Sequence, residues 1–398
     1  MKTVDLVYFN AGGGHRAAAL ALQAVIQQQD WPWEVRLVNL TDVLDPQGLF
    51  RKMTGMAPED LYNRRLARGW TLGLAQELKV LQAMIRLSHA SIVRSLCSHW
   101  QDGAPDLVVS LVPNFNRALH ESVETALPGT PFVTVLTDMA DHPPHFWIEA
   151  GQDQHLVCGT PHAYAQALSA GYRADQICLT SGMILRPTFY VDAHADRAQS
   201  RLELGLDPHR PTGVVMFGAE GSMQMAAIAA ALPQIQLILL CGRNTKLARR
   251  LRSRSAASSH AVVEFTPDVP HYLRLGDFFV GKPGPGSLSE AVQCGLPVIT
   301  FENAWTMPQE RYNTRWVRER GVGMVLRSSR HIADAAHEVI ERLAELRLNV
   351  QRIQNRAVFE VPPFLAALME REVTPPVQAC AWMDQAPLVR SVGVRQVA

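Results

Sequence analysis

The sequence lacks the features that hold metals or span membranes. Its six cysteines are widely scattered, with no CxxC pair and no histidine at zinc-finger spacing. No uncharged apolar run approaches the roughly 18 residues that cross a bilayer. No DxD triplet offers paired carboxylates to a divalent cation. We therefore expect reduced thiols, no metal, no cofactor and a cytoplasmic chain whose first residues form a buried strand rather than a signal peptide.

An excess of charge of one sign is also missing. The 398 residues contain 38 Lys and Arg against 37 Asp and Glu, a net charge of +1, so there is no chain-wide basic footprint for nucleic acid. Residues 243–254 contain six cations and no acid, but no aromatic residues are interleaved to stack on bases. This favours a solvated helix face. We expect no nucleic-acid partner.

One short segment, residues 138–145, contains two aspartates and two histidines and so resembles a metal site. Its two consecutive prolines, Pro143 and Pro144, separate the histidines and forbid the helical spacing of a regular zinc site. We therefore expect no metal here.

Apolar runs alternate with helical or irregular segments along most of the chain. A run at 3–9, a glycine loop and an Ala-rich segment at 16–29 predict strand, loop and helix. This alternation predicts an α/β protein with two doubly wound parallel sheets. The further predicted strands are 34–40, 107–112 and 132–137 in the first half, and 213–217, 237–241, 261–265, 277–281 and 297–301 in the second.

The length favours two domains, at roughly 150 residues each. We place the first at 1–185 and the second at 186–345, followed by C-terminal helices and a tail at 346–398. Residues 181–211 contain three prolines and mixed polarity, which is typical of a connection between domains.

Two glycine loops follow predicted strands. The first, AGGGHRAA at 11–18, fits neither the dinucleotide fingerprint GxGxxG nor a P-loop, which disfavours hydride transfer and ATP hydrolysis. Its glycines let a ligand approach the backbone and place His15 at the mouth of a cleft. The second, GAEGS at 218–222, can hold an anion such as a diphosphate. The alternatives are a tight turn with a surface histidine and an ordinary helix start.

The segment 281–313 has the most distinctive motif. A strand ends at Gly281, and a proline-glycine loop delays the next helix to near Ser287. Glu290 stands three residues after Ser287, so it is either part of a capping box or a carboxylate that accepts both hydroxyls of a ribose. Gln309 and Glu310 would then lie near the group that the ribose carries.

Six motifs resemble one family in their order along residues 1–330. They are GGGHRA, TDMADHPPHFW at 137–147, SGMILRP at 181–187, CGRN at 241–244, KPGPGSLSEAVQCGLPVI at 282–299 and PQERYN at 308–313. This set resembles the monogalactosyldiacylglycerol synthases and the related processive diacylglycerol glucosyltransferases of glycosyltransferase family 28. The resemblance implies the GT-B fold, in which two Rossmann-like domains face each other across a cleft. It also implies inverting transfer of a sugar from a UDP-sugar to a lipid hydroxyl, that of diacylglycerol.

The resemblance also implies roles for residues. His15 matches the general base on the acceptor hydroxyl, and Asp138 matches an acidic residue that orients this base or the acceptor. The other residues on the acceptor side are Gly12, Gly13, His142 and Trp147. The residues on the donor side are Gly14, Gly218, Glu220, Gly221, Ser222, Arg243, Phe265, Lys282, Gly284, Pro285, Gly286, Ser287, Glu290, Gln309, Glu310 and Asn313, with Glu290 on the ribose and Arg243 and Lys282 as cations for the diphosphate.

The sequence departs from the family pattern at several positions. Asn10 and Ala11 replace an Asp-Thr pair, which removes a carboxylate from beside the expected base. Pro283 and Ser287 replace Ala and Thr. Trp305 and Met307 stand in a loop that is more often polar or glycine-rich, so the choice of sugar stays open.

Residues 45–100 combine eight basic and four acidic side chains with an apolar helical run. Such a segment is either a core helix with a solvated basic face or a surface that rests on anionic lipid headgroups. With a lipid acceptor we expect the second, which places the protein peripherally on the inner face of the membrane. Three alternatives stay open: a different hydrophobic or polyprenyl acceptor, a non-catalytic UDP-sugar sensor, and a UDP-sugar epimerase.

Overall fold

The computed structural model describes residues 1–10, 13–48, 52, 74–191, 196–255 and 260–370. Within these residues the chain forms two parallel six-stranded sheets. Each sheet has a buried apolar cluster on either face, because helices pack on both sides of it. The prediction of an α/β fold with two doubly wound sheets is thus confirmed.

The first sheet has the strand order β2-β1-β3-β4-β5-β6. Since the chain places β2 on one side of β1 and β3 on the other, the order reverses at β1, and a crevice opens at the carboxyl ends of β1 and β3. The elements are β1 (Lys2–Tyr8), α1 (Gly14–Gln28), β2 (Trp33–Asn39), α2 (Leu40–Leu44), α3 (Leu74–Leu87), α4 (His89–Gly103), β3 (Leu107–Ser110), α5 (Asn116–Ala126), β4 (Phe132–Val135), β5 (His155–Cys158), α6 (Pro161–Ser169) and β6 (Ile177–Leu179).

The second sheet has the order β12-β11-β10-β7-β8-β9, with its reversal at β7. Its elements are α7 (Arg197–Glu203), β7 (Thr212–Met216), α8 (Gln224–Ala231), β8 (Gln236–Leu240), α9 (Thr245–Ser255), β9 (His260–Val263), α10 (Val269–Arg274), β10 (Phe278–Gly281), α11 (Pro285–Gln293), β11 (Val298–Phe301), α12 (Arg311–Arg320), β12 (Gly323–Leu326), α13 (Ile332–Glu341), α14 (Leu343–Gln351) and α15 (Ala357–Met369). Short 3-10 turns lie at Ala174–Gln176, Pro187–Phe189, Pro308–Glu310 and Ser329–His331.

The last helix, α15, returns to the first sheet. Its buried residues Val358, Val361 and Leu365 join the apolar cluster between α1 and that sheet. At its start, the Glu360 carboxylate accepts the backbone N–H and the hydroxyl of Ser181, both at 2.7 Å. The helix is therefore tied both to the first half and to the chain that leaves it.

The bounds of the elements differ from the expected ones by about two residues. β4 ends at Val135, so Thr137 lies in the loop beyond it, and α11 begins at Pro285 rather than near Ser287. The expected connection at 181–211 contains a 3-10 turn and the helix α7. The domain bounds at 185 and 345 stay a prediction. No helix among the described residues has the length and apolar character needed to cross a membrane.

Candidate active site

His15 lies at the carboxyl end of the first sheet. Gly13, in the left-handed region with φ of 78°, turns the chain into α1, and His15 follows in the first helical turn. The His15 Nδ1 atom is 3.0 Å from the hydroxyl of Thr137, in the loop after β4. Burial lowers the pKa of His15 to about 4, against a hydrogen bond with the Leu111 backbone that raises it. The ring is therefore neutral at pH 7.

Trp147 separates His15 from Asp138. Its ring centroid is 5.8 Å from that of His15, and its indole N–H donates to the Asp138 carboxylate at 2.9 Å. Among the described residues no hydrogen bond joins Asp138 to His15, and the side-chain partner of the histidine is Thr137. Burial raises the pKa of Asp138 to about 7.

The other residues expected on the acceptor side differ in their exposure. Trp147 is fully buried, so it supports its two neighbours instead of presenting a free face. His142 is exposed, and Gly13 is exposed with open space where a Cβ would stand. Gly12 lies outside the described residues. Their assignment to an acceptor stays a prediction.

Asp141 shapes the loop that carries Trp147. Its carboxylate accepts the backbone N–H groups of His145 at 3.0 Å and of Trp147 at 2.7 Å. The carboxylate of Asp141 thus forms hydrogen bonds within its own loop. Nowhere in the described parts of the chain do three or more His, Cys, Asp or Glu side chains form a group suited to a metal.

In the second half, two loops interlock at the carboxyl ends of β7 and β8. Gly221 and Gly242 have φ of 60° and 57°. A Cβ on Gly221 would stand 2.6 Å from the Cys241 carbonyl oxygen, and one on Gly242 would overlap the Ala219 carbonyl. The Arg243 N–H also donates to the Ala219 carbonyl at 2.8 Å. The loops 218–222 and 241–244 therefore pack backbone to backbone, which only glycine permits.

Side chains of the expected donor set extend from these loops. The guanidinium of Arg243 lies 5.1 Å from the ring centroid of Phe265 and 3.5 Å from the Glu220 carboxylate. Phe265 is 55% exposed, so part of its ring is open to a ligand. The Ser222 hydroxyl accepts the Gln224 N–H at 3.3 Å at the start of α8.

The side chain of Lys282 lies between the glycine loop at Gly218 and the proline-glycine loop at Gly284. Its ammonium is 3.0 Å from the buried Glu310 carboxylate, and its side chain passes within 4 Å of the Cβ positions of Gly218 and Gly284. Asp138 of the first half interacts electrostatically with both groups: the charge of Glu310 raises the pKa of Asp138, and that of Lys282 lowers it. The two halves of the chain meet at this point.

Glu290 is available to a ligand. Because α11 begins at Pro285 with Gly284 as its N-cap, Ser287 is already inside the helix and the capping box is wrong. Within the described residues the Glu290 carboxylate has no hydrogen-bond partner. Burial raises its pKa to about 7, while the charge of Arg186 lowers it. Gly286, one turn before Glu290 in α11, is exposed with open space around its Cβ position.

The remaining expected donor residues occupy the next loop and α12. Asn313 is buried and donates to the Pro283 carbonyl at 2.7 Å, so it holds the proline-glycine loop in place. Its side-chain oxygen is buried without a partner among the described residues. The Gln309 amide lies 3.7 Å from the Met307 sulfur.

Sequence reasoning missed Thr137 as the partner of His15. The signal was present, because Thr137 ends a predicted strand and the carboxyl ends of parallel strands share one edge of a sheet. The backbone of Leu111, which follows β3, carries no sequence signal, since any residue supplies a carbonyl.

Comparison with known proteins identifies the second half of the chain. Residues 221–360 match the glycosyltransferase family 28 C-terminal domain. Spinach (Spinacia oleracea) chloroplastic monogalactosyldiacylglycerol synthase is 27% identical over 96% of this chain and 75% of its own length. Monogalactosyldiacylglycerol synthase 1 of Arabidopsis thaliana is 26% identical over 95% of this chain and 73% of its own.

Solved structures share the fold at low identity. MurG of Acinetobacter baumannii covers 92% of this chain and 99% of its own, with a TM-score of 0.57 and 12% identity. HepE of Anabaena, solved in complex with UDP, covers 93% of this chain and 100% of its own, with a TM-score of 0.51 and 16% identity. Two parallel sheets with glycine loops at their carboxyl ends thus define the GT-B fold.

The second half of the chain carries a family 28 C-terminal domain, and the chain is a hexosyltransferase that is similar to the monogalactosyldiacylglycerol synthases over most of its length. The resemblance expected from the sequence motifs is confirmed.

We expect Gly242→Ala to destabilise the protein and weaken UDP binding, because its Cβ would overlap the Ala219 carbonyl as well as strain the backbone. Gly171→Ala is the matched control, since Gly171 also has a positive φ, of 95°, but open space around its Cβ position. We expect the control to cost only the backbone strain, about 1–2 kcal/mol. Thermal unfolding and UDP titration measure both, and equal effects of the two variants would contradict the interlock.

Proposed function

We propose that this protein transfers a hexose from a UDP-sugar to the hydroxyl of diacylglycerol, with inversion at the anomeric carbon. One observation carries the proposal: the carboxyl edge of the first sheet bears a neutral histidine, and that of the second sheet bears glycine loops and a cation. Asp138 links the two halves of the chain. Its carboxylate accepts the indole N–H of Trp147, beside His15, and it interacts electrostatically with Lys282 and Glu310 of the second half. The names of the relatives, which are synthases of a galactosylated diacylglycerol, supply the acceptor.

The chemistry divides between the two halves. His15 takes the proton of the acceptor hydroxyl as its oxygen bonds the anomeric carbon. The bond from that carbon to the diphosphate breaks, and its electron pair leaves with UDP. The N-termini of α8 and α11 and the ammonium of Lys282 offset the charge that develops on the diphosphate. No metal or other cofactor is needed in this scheme.

The donor lies along the second half. Glu290 accepts the ribose hydroxyls, a role supported by a carboxylate without a hydrogen-bond partner in the described structure. The loops at Gly218 and Gly284 surround the diphosphate, with Lys282 between them. Gln309 and Glu310 face the sugar.

The acceptor enters from a membrane surface beside α3. Val80, Met84 and Leu87 lie on one face of this helix and are 58%, 52% and 88% exposed. Lys79 and Arg86 lie together on its flank and are exposed too. An apolar stripe with a basic flank is typical of a helix that rests on anionic lipid. We place it on the inner face of the membrane. The stretch 53–73 of the basic segment lies outside the described residues.

Contacts of α3 support this route. Gln82, on its buried face, donates to the Asn114 side chain at 3.0 Å. The Asn114 N–H in turn donates to the carbonyl of Phe146 at 2.7 Å, one residue before Trp147. The helix is therefore anchored to the loop that supports His15.

The test is incubation of the protein with diacylglycerol micelles and, separately, UDP-glucose, UDP-galactose, UDP-glucuronic acid and UDP-N-acetylglucosamine. Released UDP and lipid mass are measured together. We expect a glycolipid with one UDP released per sugar transferred. A UDP-sugar that binds but yields no lipid product would point to another acceptor or to a sensor, and conversion of free donor would point to an epimerase.

Two substitutions separate the roles of the halves. We expect His15→Ala to lower kcat by about 100-fold or more while UDP affinity stays nearly unchanged, because it removes only the base. We expect Glu290→Ala to weaken UDP binding by roughly 10- to 100-fold, because charge-assisted hydrogen bonds are lost. His209→Ala and Glu203→Ala, at exposed positions away from the cleft, are the controls. Equal loss of UDP affinity in both cleft variants would contradict the division.

Membrane binding depends on the stripe of α3. We expect the triple variant V80S, M84S and L87S to lose most of its binding to vesicles that contain phosphatidylglycerol, because apolar burial is removed. Replacing Lys79 and Arg86 by Glu should weaken binding further, by about 1 kcal/mol for each lost cation. Leu202→Ser, at an exposed leucine of α7, is the control. Vesicle co-sedimentation measures all of them, and unchanged binding of the triple variant would exclude α3.

A further inference from the structure

Thr137 is the side chain that holds the ring of His15. Its hydroxyl lies 3.0 Å from Nδ1, and the residue stands two positions beyond the end of β4. The backbone of Leu111, beyond the end of the neighbouring β3, also lies against the ring. The imidazole is thus fixed by two adjacent strand ends. Neither contact brings a charge.

Carboxylates, the usual partners of a histidine base, are placed elsewhere in this cleft. Asp138 follows Thr137 in the chain, but its carboxylate accepts the indole N–H of Trp147. Asp141 accepts the backbone N–H groups of its own loop. Asn10, before the glycines, is no carboxylate at all. The hydroxyl of Thr137 is therefore the side-chain group that orients His15.

We propose that Thr137 is a positioning residue for the general base: its hydroxyl oxygen accepts the Nδ1 proton of His15, which leaves Nε2 unprotonated and facing the hydroxyl of the acceptor. This inference rests on the proposed role of His15 as the base. Thr137 itself contacts neither the acceptor nor the donor. In the reaction Nε2 takes the acceptor proton as the new glycosidic bond forms and the bond to UDP breaks, and the proton then passes to water after UDP has left.

A hydroxyl partner also sets the charge of the base. A carboxylate beside Nδ1 would stabilise the imidazolium and raise the pKa of the ring. With Thr137 and a backbone group as partners, burial keeps the pKa of His15 low, and the ring stays unprotonated over the physiological range. The carboxylate of Asp138 is held by the indole N–H of Trp147, whose ring lies beside that of His15.

The test compares Thr137→Val, Thr137→Ser and Thr137→Asp in the full-length protein. We expect the valine variant to lose 10- to 100-fold in kcat, as for other groups that orient a functional histidine, while UDP affinity stays unchanged. Serine retains the hydroxyl and should restore most of the activity. Aspartate adds a negative charge beside the ring, so the acidic limb of the pH profile of kcat should move to higher pH.

Thr125→Val, at an exposed position of α5, is the matched control for loss of a hydroxyl. A valine variant with normal kcat, serine as inactive as valine, or an unmoved acidic limb with aspartate would each overturn the role of Thr137. If the valine variant fails to fold, the activity of the serine variant and the pH profile of the aspartate variant still test the role of Thr137. Full activity of His15→Ala would instead overturn the proposed base, so the two failures are distinguishable.

Discussion

The parallel arrangement of both sheets is the constraint on which the cleft depends. Parallel strands send all of their carboxyl ends to one edge, and the reversal of strand order opens a crevice there. His15, Thr137 and Leu111 come from segments far apart in sequence, yet they follow β1, β4 and β3 and so reach the same edge. The glycine loops after β7 and β10 obey the same rule in the second half.

Burial shifts the pKa values of the ionisable groups of the cleft in opposite directions. In each case it favours the uncharged form. It lowers the pKa of His15 and raises those of Asp138 and Glu290, because removal from water disfavours every charged form. Near neutral pH the ring of His15 is therefore uncharged, and the carboxyls of Asp138 and Glu290 are near the middle of their titration. Lys282 and Glu310 form an ion pair with each other. A ligand that brings hydroxyls and phosphates meets hydrogen-bonding groups that are only weakly hydrated.

Sequence reasoning reached the fold and named residues for the candidate site, but it did not give the contacts among them. Strand periodicity and glycine loops predict two doubly wound sheets, because these signals are local. The choice between a capping box and a ligand-binding role for Glu290 depended on whether α11 begins at Pro285 or Ser287, a difference of two residues that propensity does not resolve. The separation of Asp138 from His15 by Trp147 depends on the path of the loop that Asp141 holds together. Such a path follows from tertiary packing.

The return of α15 to the first sheet makes the core of the first half depend on a helix that is synthesised after the whole second sheet. Val358, Val361 and Leu365 cover apolar surface of α1 and the first sheet, which is made from the first 179 residues. During synthesis that surface stays uncovered while the whole second sheet is produced, although domains generally fold as units from the N-terminus onward. The first half therefore completes its core only when residues 357–369 have left the ribosome. A nascent chain without them leaves the apolar face of α1 and the first sheet open to water.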